Sequence, residues 1–205
     1  MAVKTRKQPS KPNTTATRAE TAQFLAVDPG VAGAVAVRLH GGEICLFDLP
    51  VRTVTLKTKN PSGTPKKRRE VDAARLAEIL RPYVDASTSC VVEALASGFV
   101  STGGKRTTSA ATATRQGVNL GRCEGVLAAL TGRRPLRVTP QRWRAAHGLR
   151  ASTPAERKRQ AAELAQRLNP DLPVILPPGP RAREPKIMDG RADALLMLDW
   201  LAEQP

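Results

Sequence analysis

A chain of 205 residues carrying 33 Lys and Arg against 18 Asp and Glu, a formal net charge of +15, suits one domain with an ordinary core and leaves two full domains cramped. That excess of positive charge points to a nucleic-acid partner, and no apolar run is long enough to span a bilayer, no lipidation motif is present, and the N-terminus lacks the apolar h-region of a secretory signal. Cys45, Cys90 and Cys123 sit inside apolar periodic segments, as reduced core residues of an intracellular protein do, and none has the spacing of a zinc site.

Residues 1–22 are rich in Lys, Arg, Ser, Thr and Pro and poor in large apolar side chains, which predicts a disordered basic tail: a solvated extension, a non-specific DNA arm or the remnant of an organelle transit peptide. The domain then occupies 23–205. Apolar runs at 24–28, 33–39 and 43–49, separated by Pro29-Gly30 and Gly41-Gly42, predict three strands in an antiparallel meander. Residues 52–69 hold seven Lys or Arg and no acid, interrupted by Asn60-Pro61-Ser62-Gly63, and read as a basic loop or a β-ribbon. A helix is expected over 70–83, with Val71, Ala74, Leu76, Ile79 and Leu80 available to its buried face. A strand at 89–93 leads to a Gly/Ser/Thr-rich loop over 96–109 that contains Phe99, Lys105 and Arg106.

A long helix follows over 110–130. Ala113, Gly117, Gly121 and Gly125 recur on it every four positions, a smooth face for a partner helix or for the chain's own sheet. Then come a short strand at 136–138, a short helix at 140–147, a basic amphipathic helix at 153–168 capped by Ser152 or Thr153, a Pro-rich loop at 171–185 and a last apolar helix at 189–201. The order predicts an α/β domain around a mixed sheet of about five strands, three antiparallel and then parallel, flanked by helices.

Four acids stand out in this basic chain. Asp28 and Glu93 end buried strands, and Asp189 and Asp193 open the last helix, four residues apart on one face. The strands carrying Asp28 and Glu93 are expected side by side, so their carboxylates become neighbours. Crowded carboxylates repel unless protonated or bound to a cation, and Mg²⁺ or Mn²⁺ prefers such oxygen donors. Two such ions can activate a water and stabilise a leaving 3′ oxygen in phosphodiester hydrolysis. Taken singly, Asp189 could be an N-cap, Asp28 a turn residue and Glu93 a salt-bridge partner. The isolated His40 and His147 are not counted in the site.

These residues resemble a known family. The segments Leu25-Ala26-Val27-Asp28-Pro29-Gly30-Val31-Ala32-Gly33-Ala34, Val91-Val92-Glu93, Val138-Thr139-Pro140-Gln141-Arg142-Trp143-Arg144 and Asp189-Gly190-Arg191-Ala192-Asp193-Ala194-Leu195-Leu196 resemble, in order and spacing, RuvC-type Holliday junction resolvases of the ribonuclease H-like superfamily, most of all the phage and chloroplast forms. The resemblance spans residues 24 to about 200. It implies a homodimeric, Mg²⁺-dependent endonuclease that cuts four-way DNA junctions with paired nicks, in a bacterial or phage-host cytoplasm or an organelle nucleoid.

The resemblance also implies metal ligands at Asp28, Glu93, Asp189 and Asp193, and a phosphate-contacting lysine near the scissile bond at Lys158. Trp143-Arg144 stands where the family has Trp-Lys, and Phe99 stands where it carries an aromatic wedge. Further DNA contacts are expected from Lys66, Lys67, Arg68, Arg69, Lys105, Arg106, Arg144 and Arg157. Trp143 reads as a core residue of its short helix. Alternatives are a less selective ribonuclease H-like nuclease on flaps or hybrids, an actin- or sugar-kinase-like ATP-binding domain, and a non-catalytic DNA-binding module of the same fold.

Overall fold

Residues 21–95, 109–180 and 184–204 are described by the computed structural model. Strands β1 (Ala22–Val27), β2 (Ala34–Leu39) and β3 (Ile44–Asp48) are followed by β4 (Val51–Lys59), β5 (Pro65–Val71), α1 (Ala73–Leu80), β6 (Ser89–Glu93), α2 (Ala110–Thr131), β7 (Leu136–Val138), α3 (Pro140–Ala146), α4 (Pro154–Leu168), β8 (Ile175–Leu176), β9 (Lys186–Ile187) and α5 (Asp189–Ala202). Five strands form one sheet in the order β3-β2-β1-β6-β7. The β1–β2 and β2–β3 pairs are antiparallel, and β1–β6 and β6–β7 are parallel. This mixed sheet flanked by helices is the arrangement that the resemblance to the ribonuclease H-like superfamily implies.

Alternation along the strands separates two cores. Leu25, Val27, Val35, Val37 and Val92 pack on one face with Leu76 and Leu80 of α1 and Leu120, Cys123 and Leu127 of α2. Ala26, Ala34, Ala36 and Val91 face the other side, against α5, Trp143 of α3 and the alanines of α4. The alanines on this second face let α5 lie close to the sheet. With α4 and α3 also packed against it, α5 is apolar nearly all round, as a helix covered on every side must be. Arg191 clamps it to Asp48 at the end of β3 through two bonds of 2.7 and 2.9 Å, and Arg38 of β2 pairs with Asp199 near its far end.

The basic segment 52–69 forms the ribbon: β4 and β5 pair antiparallel, with Arg52 opposite Glu70 and Thr53 opposite Arg69. This shortens the helix expected over 70–83. Glu70 and Val71 still belong to β5, and α1 starts after Asp72, whose side chain caps the Arg75 N–H at 3.1 Å. Glu70 reads as helical by its neighbours, but three arginines hold it in the ribbon. Glu70 is 4% exposed, and its carboxylate accepts from Arg52 and Arg122 at 3.0 Å and Arg68 at 3.2 Å. Hydrogen bonding to Arg122, more than any other cause, keeps its carboxyl below the usual range.

Glu70→Gln is expected to cost about 1–3 kcal/mol, less than a fully buried pair because all three arginines still reach water. Urea denaturation measures it, and an unchanged midpoint would show that the cluster adds nothing to stability.

One further segment differs from expectation. The Pro-rich stretch 171–185 contributes β8, which pairs with β9. The small-residue face of α2 is not filled by its own sheet: Gly117, Gly121 and Gly125 are exposed, with open space where a Cβ would project. The three thiols are free, and burial pushes those of Cys90 and Cys123 up to about 12, as expected of inert core residues. Among the described residues, no helix is long and apolar enough to cross a membrane.

Candidate active site

The acids meet because parallel pairing sets Val27 beside Val92, so that the next residue on each strand, Asp28 and Glu93, emerges at the same sheet edge. This is the carboxyl end of two adjacent parallel strands, where open α/β sheets present their sites. Asp28 turns back on its own loop: its Oδ1 accepts the Gly30 N–H at 3.0 Å.

The first turn of α5 reaches the same place through an unusually close backbone approach. Gly33 and Gly190 form a parallel bridge. A Cβ on Gly190 would lie 2.6 Å from the Gly33 Cα and still closer to the Ala32 carbonyl oxygen. Glycine at 190 is what allows Asp189 and Asp193 to stand over Asp28.

Glu93 and Asp193 are fixed from α3. The Trp143 indole N–H donates to Glu93 Oε1 at 3.1 Å, and Trp143 itself is fully buried, so the ring is both core and support for the carboxylate. Arg144 donates to Asp193 Oδ2 at 3.3 Å and stacks on the Trp143 ring 4.7 Å from its centroid. Its Nε is buried with no hydrogen-bond partner. Lys158 of α4 donates to Asp189 Oδ2 at 2.6 Å, which raises the lysine's pKa.

Burial, followed by the nearby Asp28 and Asp193 carboxylates, pushes Glu93 up to about 8. Asp193 is pushed up to about 7, chiefly by burial and against the pull of Arg144, with Asp28 and Asp189 adding to the rise. Asp28 is raised too, by burial first, its bond to Gly30 opposing.

The donor set, all carboxylate oxygen and partly shielded from water, suits a hard divalent cation, and Asp28, Glu93, Asp189 and Asp193 are the residues that could hold one. As the side chains stand, no three acids, histidines or cysteines among the described residues adopt a metal-binding geometry. Asp189 is engaged by Lys158 and Asp193 by Arg144, so both would turn from these partners to share a cation.

A carboxyl with a raised folded pKa keeps a proton that the unfolded chain has already released above about pH 4.5, the ordinary value for Glu. Its contribution to stability is complete below that pH and is lost as pH climbs through 7 and 8. In EDTA, the stability of the protein should therefore fall from pH 6 to pH 8, by up to about 1.4 kcal/mol per pH unit for each group still holding its extra proton. Glu93→Gln should flatten that fall. Denaturation midpoints across the window check it, and a rise towards pH 8 would contradict the crowding of these acids.

The acids open into a cleft of about 850 Å³ lined by Asp28, Glu93, Asp189, Lys67, Arg68 and Arg69, among others. Arg69 also donates to the Val31 carbonyl at 3.1 Å, tying the ribbon to the Asp28 loop. Of the other residues expected to touch DNA, Lys66 is exposed on the ribbon, whereas Arg68 is half-buried against Glu70. Arg157 is turned to the carbonyls of Ser152 and Ala151, at 2.9 and 3.4 Å, bracing the start of α4 rather than the cleft. Phe99, Lys105 and Arg106 lie outside the described residues. His147 is structural, its Nε2 2.7 Å from the Leu196 carbonyl oxygen.

Comparison with protein-family models and with curated proteins finds no match for this chain.

Proposed function

We propose that this protein is a divalent-metal-dependent endonuclease that resolves four-way DNA junctions by phosphodiester hydrolysis. The observation that carries this reading is the convergence of Asp28, Glu93, Asp189 and Asp193 at one sheet edge in a chain of net charge +15. Acids held together against their mutual repulsion suit cation chemistry, and the surrounding Lys and Arg suit a polyanion. The choice of four-way junctions among DNA substrates rests on the motif resemblance.

A bound divalent cation would supply an activated water and charge neutralisation at the leaving oxygen. The chain's own residues do the rest. Trp143 holds the Glu93 carboxylate in place, and Asp28 is oriented by the Gly30 N–H. Lys158, with most of its side chain exposed, can swing from Asp189 to a phosphate oxygen. Arg144 stays turned inward beside Asp193. Lys66, Lys67 and Arg69 would bind backbone phosphates beside the cleft, with Phe99, Lys105 and Arg106 at the junction centre. The site of action would be a bacterial or phage-host cytoplasm or an organelle nucleoid.

Incubation with synthetic four-way junctions, flaps, RNA–DNA hybrids and linear duplex, with and without Mg²⁺ or Mn²⁺, tests the reading. Paired symmetric nicks confined to the junction and dependent on the metal are expected. Equal cutting of flaps or hybrids would instead indicate a less selective ribonuclease H-like nuclease.

Paired nicks call for two sites related by a two-fold axis, hence a homodimer. The open Gly117, Gly121 and Gly125 face of α2 favours a helix-to-helix contact there. Light scattering at micromolar concentration should give twice the 22.0 kDa of one chain, and Gly121→Arg should return it to the monomer mass. A wild type that stayed monomeric even with junction DNA would sink the paired-nick scheme.

A further inference from the structure

We propose that the β4–β5 ribbon is a duplex-tracking arm, lying along the sugar-phosphate backbone of one DNA arm for about four base pairs beyond the acidic cleft. This rests on the nuclease reading for the position of the cleaved phosphate, and adds to it a minimum length of duplex arm.

The ribbon is rigidly rooted. Asn119 of α2 accepts the Val71 N–H at 3.1 Å, Arg122 donates to the Val71 carbonyl at 3.0 Å, and Glu70 gathers Arg52, Arg68 and Arg122. With Arg69 bound to Val31, the direction of the ribbon is set relative to the acids. Its tip is closed by a hydrogen-bonded turn: the Asn60 N–H donates to Thr64 O at 2.8 Å and the Gly63 N–H to Asn60 O at 2.9 Å.

Near the root the two faces differ. Arg68 and Glu70 turn to α2, while Thr53 paired with Arg69, and Thr55 paired with Lys67, are exposed. An irregularity in register between Thr55 and Lys59 follows, with Lys57 and Lys66 inside it and Lys59 at its far edge, all three exposed. Two-stranded ribbons twist strongly and a bulge increases the twist, which lets a straight run of cations follow a helical track of phosphates.

Lysines also guard exposed strands against stray pairing. That role does not account for residues 51–69 having no acid at all, nor for the same track lining the acidic cleft through Lys67 and Arg69. The interleaved threonines add hydroxyl donors of the kind that contact phosphate. No aromatic residue lies between 51 and 71, so the ribbon lacks the stacking platforms of a single-strand binder, whereas a two-stranded ribbon fits a duplex. Between the Thr53–Arg69 and Lys59–Pro65 pairs β5 takes four residue steps, roughly 13 Å at about 3.3 Å per residue, the extra residues of β4 being taken up by the irregularity, and base pairs rise about 3.4 Å along the duplex axis, hence about four base pairs.

Binding in EDTA, where no cleavage occurs, is measured by fluorescence anisotropy over a range of salt. The probes are four-way junctions with arms of about twelve base pairs, or about three closed by hairpin loops, so that the short arms end before the ribbon does. The wild type should prefer long arms by at least about tenfold, with the steeper salt dependence. A K57E/K59E/K66E variant, its root intact and its thermal midpoint unchanged, should lose the preference and make the slope of log affinity against log salt shallower by about 2 to 3. The K57A/K59A/K66A variant should follow it in direction if the glutamates disturb folding. A wild type indifferent to arm length, variants with the wild-type slope, or a slope change on single-stranded DNA alone would each overturn the arm. Absence of Mg²⁺-dependent cleavage overturns the nuclease reading and leaves the arm-length result standing.

Discussion

Asp28→Asn and Glu93→Gln are each expected to reduce Mg²⁺-dependent junction cleavage by at least about a thousandfold, because each removes a candidate ligand from a site whose chemistry depends on several. Binding should survive or tighten. Both substitutions are near-isosteric, and each removes a negative charge that a phosphate would otherwise meet. In the apo protein both relieve burial of a crowded carboxylate, so neither variant should be less stable than the wild type near pH 8. Single-turnover cleavage, anisotropy and thermal midpoints separate these three consequences. Near-normal cleavage by either variant would show that the acids are assigned wrongly, and lost cleavage together with lost stability would point to a folding defect instead.

Gly190→Ala is the second large effect, and it acts through backbone. The added methyl would overlap the Ala32 carbonyl and approach the Gly33 Cα at 2.6 Å, and neither neighbour is a flexible side chain that could move aside. The first turn of α5 must lift, taking Asp189 and Asp193 with it. A loss of roughly 3 kcal/mol or more is expected, with cleavage falling further than stability alone accounts for. Asp189→Ala keeps the helix seated and serves as the control. It should leave the thermal midpoint near that of the wild type, because the Lys158 pair it removes is largely exposed. A stable Gly190→Ala protein with full activity would mean that the contact between the α5 start and the β1–β2 turn is dispensable.

Much of this architecture was legible in local pattern. Apolar runs that stop at Asp28 and Glu93 are strands that end where a carboxylate can reach water, and their adjacency followed from the order of elements. The pairing of Asp189 with Asp193 followed from helical spacing. What local pattern could not reveal depends on partners far along the chain. Residues 52–69 could have been a loop, because the groups that fix them as a ribbon, Asn119 and Arg122, lie about fifty residues away on α2. Glu70 looked helical for the same reason. Trp143 was recognisable as a core residue, but its bond to Glu93 comes from the parallel register of β6 and β7, which brings α3 under the carboxylate. Arg144 was read as a DNA contact, yet the fold turns it inward to Asp193. A basic residue directly after a buried Trp, in a motif-bearing segment, was the one available hint.

The seating of α5 against the opening hairpin also bears on how the protein is made. The Gly33–Gly190 bridge and the Arg38–Asp199 pair, the latter 161 residues apart in sequence, close the fold between its first strands and its last helix. Emerging from a ribosome at roughly 5–20 residues per second, the chain would display Asp28 and Glu93 many seconds before Asp189 and Asp193 exist. A fragment interrupted between β6 and α5 carries the basic ribbon and half of the acids. Such a fragment has the cations of the ribbon without the full carboxylate cluster, which is completed late and in one step when α5 docks.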